Sequence, residues 1–353
     1  MPPVSASPFP TTVPTPPPAP GKTPGVYPTD TPGGPQGLEW TAIPLAAEPS
    51  DSYTLVANDA SGVIVIGRIG NHFQRWFSTD GLTWDMAPIP PFDRASHKYM
   101  YWGLLQVVHL HDQFVGVATG EKPDHIQFWT SADGTDWTQV PDNSDFAFAK
   151  ASELSQFEPG VIAGCCGEVT DIRIDGNVLV VDGSPPRADP CDICSFDPRT
   201  AVVRWTSSDG LHWDRAVVRP EYADTGREIP IETATGFIRI WRSQDEEHVG
   251  IEASIDRQSW AVVWQTTGYL RALHAFSGGY LAVGGTSYSD PQIIAAYSVD
   301  GTQWTQTAGL PDMQGALFDF VEFHGRLVAI GHKELFADNP VYPPYVWVSP
   351  RPN

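Results

Sequence analysis

Short runs of β-branched, aromatic and small residues recur along the chain, and most are closed by glycine. The most regular are Gly62 to Gly67, Gln113 to Ala118, Asn177 to Val181, Gly236 to Trp241, Gly279 to Gly284 and Gly325 to Gly331. Runs of this length and composition predict buried β-strands. A less regular strand precedes each one, as over Leu104 to Leu110 and Leu317 to Phe323, through a His-Asp, Asp-Gly, Ser-Gly or His-Gly turn. A third strand follows, as in Phe73 to Phe77, His125 to Trp129 and Ala201 to Trp205. The apolar runs stop within a few residues, so none predicts a transmembrane span.

The third strand leads into a repeated turn, Ser-x-Asp-Gly-x-x-Trp. Complete copies end at Trp84, Trp137, Trp213 and Trp304; a worn copy runs from Ser254 to Trp260, and a half copy ends at Trp40. The six tryptophans are 44, 53, 76, 47 and 44 residues apart, a period that suits a four-stranded propeller blade. The C-terminal Tyr345 to Ser349 matches a third strand without its partner, and Gly37 to Pro44 matches a fourth strand without its predecessor. The expectation is an all-β fold, a six-bladed β-propeller of four-stranded antiparallel blades over residues 37–353. The N-terminal strand would complete the last blade and close the ring.

The turn's composition follows from its mechanics. Asp80, Asp133, Asp209, Asp256 and Asp300 accept bonds from backbone N–H groups two residues on, while Gly81, Gly134, Gly210 and Gly301 supply positive φ. Arg257 stands where the fifth copy wants glycine, which predicts a distorted or looser turn. The tryptophans should pack between blades. The motif resembles the Asp-box, or bacterial neuraminidase repeat, of sialidase-like propellers. That resemblance implies that the boxes are structural and lie opposite the ligand funnel. It also implies, for a sialidase, an arginine triad, an early Arg-Ile-Pro, a Tyr–Glu nucleophile pair and an Asp acid/base. Arg68-Ile69 is followed here by Gly70, and Arg227-Glu228-Ile229-Pro230 carries an intruding glutamate. Arg68, Arg94, Arg242 and Arg271 are the candidates for a triad. A non-catalytic propeller that binds a protein or glycan is the favoured reading, with a sialidase-like glycoside hydrolase as the alternative.

Composition narrows the partners. The net charge of −21 repels phosphate backbones, which argues against nucleic acid. The first 36 residues hold 13 of the 34 prolines and almost no aliphatic residues, so they should be a disordered Pro/Thr-rich linker or stalk. An extracellular or cell-surface, stalk-tethered monomer is the matching expectation, although no export signal is visible in the sequence.

Propeller ligands usually meet the loops opposite the repeated turns. The connections between second and third strands carry Arg68 and His72; Glu121, Lys122, Asp124 and His125; Asp245 and Glu246; and His332, Lys333 and Glu334. These form the candidate binding set. Catalytic residues stay unknown, no cofactor is expected, and no motif supports structural calcium. All four cysteines, Cys165, Cys166, Cys191 and Cys194, fall in the long insertion within 138–213. Two disulfides between the pairs are preferred over a zinc site, since adjacent Cys165 and Cys166 suit tetrahedral ligation poorly.

Overall fold

The computed structural model describes residues 40–349 apart from 46–52, 59–60, 70–71, 90–102, 120–124, 143, 149–152, 154–167, 185–201, 219–229, 244–246, 287–291, 307–314 and 334–343. The proline-rich stretch 1–36 and the four cysteines therefore lie outside the described residues. The chain forms six four-stranded antiparallel sheets, the blades of a propeller. The first strand is β1 (Thr41–Pro44). Blade one contains β2 (Tyr53–Asn58), β3 (Gly62–Ile69), β4 (His72–Ser78) and β5 (Asp85–Pro88). Blade two contains β6 (Gly103–Leu110), β7 (Gln113–Thr119), β8 (Ile126–Ser131) and β9 (Thr138–Gln139). Blade three contains β10 (Glu168–Asp175), β11 (Val178–Ser184), β12 (Val202–Ser207) and β13 (Asp214–Val218). Blade four contains β14 (Ile231–Thr233), β15 (Gly236–Arg242), β16 (His248–Ser254) and β17 (Ala261–Thr267). Blade five contains β18 (Tyr269–Phe276), β19 (Gly279–Gly285), β20 (Ile293–Ser298) and β21 (Thr305–Gln306). Blade six contains β22 (Gly315–Phe323), β23 (Arg326–Lys333) and β24 (Pro344–Val348), with β1 as its fourth strand. The pairing runs from Thr41↔Val348 to Pro44↔Tyr345, so the two ends of the chain close the ring as expected.

Side chains alternate across each strand, so the second strand of a blade serves two interfaces at once. In β3, Ile64 and Ile66 join Phe114 and Trp137 of blade two, whereas Val63 and Val65 join Val328 and Ile330 of blade six. The same arrangement places Val115 and Val117 against Leu179 and Val181, Ile238 and Ile240 against Ala282, and Leu281 and Val283 against Leu327 and Ala329. Among the described residues the core is therefore five apolar layers between blades. The tryptophans of the repeated turns, Trp260 excepted, enter these layers. Trp213 stacks on Phe128 of blade two at 3.6 Å between ring centroids, and Trp84 and Trp304 pack against the layers shared with blades six and four.

In each complete turn the Ser hydroxyl accepts the Gly N–H, and one Asp oxygen accepts two N–H groups beyond it. In the first copy these are Gly81 N to Ser78 Oγ at 2.7 Å, and Leu82 N and Thr83 N to Asp80 Oδ1 at 2.7 Å each. The indole Nε1 of Trp84 donates to Gly81 O at 3.2 Å, which fixes the ring over its own turn. The fifth copy departs from expectation. Arg257 adopts φ +61 where Gly81 and Gly210 have +73 and +71, so the turn keeps its shape without glycine. Gln258 N and Ser259 N still donate to Asp256 Oδ1 at 2.8 and 2.9 Å, and Trp260 Nε1 to Arg257 O at 3.1 Å. The left-handed backbone costs an L-residue about 1 kcal/mol. The guanidinium lies 4.0 Å from the Phe237 ring centroid, a cation–π contact that offsets part of that cost.

The long third repeat has a structural use in its first part. Phe146 and Phe148 insert into the layer between blades two and three, where Phe148 meets Trp205 edge-on at 5.3 Å. Gly183 is required there, since a Cβ would lie 2.6 Å from the Phe148 ring. Trp205 Nε1 donates to Asp145 O at 2.6 Å, and Arg215 donates to Ala147 O at 2.9 Å and to both Glu153 oxygens at 3.0 Å.

Candidate functional site

The Ser-x-Asp-Gly turns and the hairpins between first and second strands occupy one end of the blades. Antiparallel alternation puts the connections between second and third strands, and those between blades, at the other end. Sequence reasoning sought the ligand there, but the strands run further than expected. Arg68 pairs with Phe73 and Ile69 with His72 inside the β3–β4 ladder. His332 and Lys333 belong to β23, paired with Ala316 and Gly315, because the ladder continues past Gly331. These four candidates are strand residues and not loop residues. His125 is half-buried and forms an isolated bridge with Ala147, tying it to the inserted segment. Glu121, Lys122, Asp124, Asp245, Glu246 and Glu334 lie outside the described residues, as does Arg94.

Side chains converge at this end across blades four, five and six. Arg242, the last residue of β15, donates from Nη2 to Leu270 O at 3.3 Å. Tyr269 and Arg271 flank that leucine at the start of β18. The ladder slips between Leu270 and Ala272, a bulge that leaves Arg271 without a cross-strand position. Its guanidinium lies 5.2 Å from the Tyr269 ring centroid. Gly285 gives the phenol room, since a Cβ there would stand 2.9 Å from the Tyr269 hydroxyl.

A second bulge, between Leu317 and Asp319 of β22, sets Phe318 out of register. Its ring lies 4.8 Å from that of His332, which is buried. Burial first, and the Arg271 charge second, push the His332 imidazolium down to about 4, so the ring is neutral at physiological pH. Two arginines, a phenol and a neutral imidazole thus lie at this end of blades four to six, linked through Leu270 and the Arg271 charge. Such a site attracts a carboxylate or sulfate and offers an aromatic face to a sugar or aromatic ring. Sequence reasoning included His332 in the binding set and Arg242 and Arg271 among the triad candidates. It missed Tyr269 and Phe318, which sit at first-strand starts; the broken alternation of Tyr-Leu-Arg-Ala-Leu over 269–273 was the available signal. Among the described residues, no three His, Cys, Asp or Glu side chains gather as a metal site requires.

No protein-family model matches the chain, and no curated protein matches it. Solved structures do. The Trypanosoma rangeli sialidase in complex with sialic acid aligns with a TM-score of 0.50 at 12% identity, over 89% of this chain and 58% of that one. The likeness is one of fold, a β-propeller of four-stranded blades. A protein of unknown function from Dyadobacter fermentans aligns with a TM-score of 0.49 at 13% identity, over 90% and 96% of the two chains. A thermostable family-43 glycoside hydrolase gives 0.38 at 11% identity, over 85% and 89%. At these identities the likeness extends to the fold and carries no activity with it.

Proposed function

We propose that the protein is a non-catalytic, extracellular binding propeller, held on its proline-rich stalk, that takes a carboxylate-bearing glycan or protein segment at the blade-four to blade-six end. The observation that carries this reading is the gathering of Arg242 and Arg271 around Leu270 beside a His332 kept neutral. Guanidinium groups grip carboxylates through paired N–H donors, whereas a neutral buried imidazole adds a hydrogen-bonding group without competing for the anion. The alternative, a sialidase-like hydrolase, is favoured by the shared fold with the Trypanosoma rangeli sialidase.

Calorimetric titration with sialylated, uronate-bearing and neutral oligosaccharides and with acidic peptides tests the reading. Anionic ligands should bind, neutral ones should not, and Arg271→Gln should weaken binding by about tenfold or more, the effect of a lost charged hydrogen bond. Equal binding of neutral and anionic ligands would sink it. Turnover of a fluorogenic sialoside by the wild type, lost in Arg271→Gln, would establish the hydrolase instead.

A further inference from the structure

Five seams of the ring hold apolar clusters. Among the described residues, the seam between blades three and four holds none. The difference can be located by equivalent positions. In every blade one residue of the second strand stands opposite the turn serine: Val63, Phe114, Leu179, Phe237, Tyr280 and Leu327. Three residues further on, the side chain faces the following blade, and there the sequence has Ile66, Val117, Ile240, Val283 and Ile330, but Asp182 in blade three. Two residues further on, it faces the preceding blade, with Val65, Gly116, Val181, Ala282 and Ala329, but Arg239 in blade four. The two exceptions face the same seam from opposite sides.

The neighbouring strands repeat the exchange. Across from Asp182 stands Arg204, where blade one also has an arginine, Arg75, and the other blades have Phe128, Ile251, Ala295 and Val346. Across from Arg239 stands Glu252, eight positions before Trp260, where blades one, two, three and six have Trp76, Trp129, Trp205 and Trp347. Each of these charges has a partner in its own blade. Arg204 makes a forked pair with Asp182 at 2.7 and 2.8 Å, and Arg173 contacts Asp182 at 3.2 Å and also pairs with Asp171. In blade four Arg239 binds Glu252, both nearly fully buried, and lies 3.8 Å over the Trp260 ring. Each face therefore carries buried ion pairs where the equivalent positions of other blades are mostly apolar. Burying such pairs gives little net stability beside an apolar layer of equal area.

We propose that the ring parts at the seam between blades three and four, these two blades separating transiently while the other seams hold. The propeller is then a C-shaped stack running from blade four through blades five, six, one and two to blade three, latched by a charged joint. Arg242, Arg271 and His332 ride on one end of that stack, with the apolar layers four–five and five–six kept intact beneath them.

The test is thiol accessibility with a bulky maleimide, the label being located by peptide mass so that the native cysteines do not interfere. Val180→Cys and Val202→Cys place thiols on the blade-three face of this seam, at side chains 5% and 2% exposed. Val117→Cys and Val283→Cys place them in apolar seams at side chains 0% exposed. Under native conditions the two seam thiols should react about tenfold or more faster than the controls, the signature of a sub-global opening confined to that joint. Either seam position suffices if the other variant fails to fold. Adding Asp182→Ile, Arg204→Val, Arg239→Ala and Glu252→Trp to a seam variant should bring its labelling down to the control rates. Seam thiols that react no faster than the controls would overturn the proposal, as would fast labelling that survives the apolar refit.

Discussion

Trp213 and Trp260 occupy the same position of the repeated turn, yet removing Trp213 should cost more. Trp213 stacks on Phe128 at 3.6 Å and 13° and borders the layer built from Val115, Val117, Leu179 and Val203. Trp213→Ala removes a half-buried aromatic packed on that layer, about 3 kcal/mol, the low end for a large aromatic, of which the ring stack supplies about 1 kcal/mol. Trp260 faces the ionic seam, where its ring partner is the Arg239 guanidinium and its flank is open enough that Val262 is 44% exposed. Trp260→Ala loses a cation–π contact and partial burial, roughly 1–2 kcal/mol. Both rings donate Nε1 to the carbonyl of the fourth turn residue, Gly210 or Arg257, at 3.1 Å in each, so that bond cancels from the comparison. Urea unfolding followed by far-UV circular dichroism, with the midpoint compared at equal slope, reads the difference. A Trp260→Ala loss equal to or larger than that of Trp213→Ala would refute the contrast between apolar and ionic seams.

Gly210→Ala and Gly176→Ala both place a Cβ at positive φ, +71 and +60, but only the first Cβ meets a neighbour, Val115 Cγ2 at 2.6 Å. Gly176→Ala should cost about 1 kcal/mol and Gly210→Ala about 2–4 kcal/mol by thermal melting, since overpacking adds to the backbone strain. His332 has a folded-state value of about 4 against an ordinary 6.5, so unfolding takes up a proton below pH 6.5 and stability falls from there towards pH 4. The loss saturates at about 3 kcal/mol, and His332→Gln should flatten that part of the pH–stability curve. The carboxyls of Asp80, Asp209 and Asp256 are held low chiefly by backbone N–H donors, and those of Asp133 and Asp300 are low despite burial, which opposes the same donors. Their stabilisation is present above the ordinary carboxylate range and is lost as pH falls through their lowered values. Asp209→Asn should therefore reduce the acid sensitivity of unfolding below about pH 4.

The architecture was legible because it is repetitive: the turn is local chemistry, and six copies at a blade's period leave few folds that satisfy them. Ring closure was legible too, since a third strand at Tyr345 and a lone fourth strand at Thr41 complete each other. Arg257 was misjudged because a positive-φ site prefers glycine by only about 1 kcal/mol, which a stack on Phe237 helps to offset. The proposed binding end was harder to read. Its residues come from bulges at Arg271 and Phe318, and a bulge is a relation between two strands that no single strand's pattern records. His332 was identified as a candidate but assigned to a loop, because the hydrophobic run appears to stop at Gly331 while the backbone ladder runs on to Lys333.

The ionic seam shows how a repeat can be read for its exceptions. Glu252 breaks the aromatic-before-tryptophan pattern visible in the sequence, and Asp182 breaks an aliphatic one, but 70 residues separate them and neither break alone carries meaning. Register gives them one. Strand alternation turns Asp182 towards blade four and Glu252, with Arg239, towards blade three, so two unrelated departures fall on one interface. Had the charged residues been spread over several seams, each would have been a local oddity neutralised by its own partner. Asp182, Arg239 and Glu252 fall on one seam, and among the described residues no apolar cluster forms there while the other five seams each hold one. A closed ring gains cooperativity from having no weakest joint, and this ring has one; it lies outside the apolar layers that support Arg242, Arg271 and His332, so binding and opening are separable by mutation.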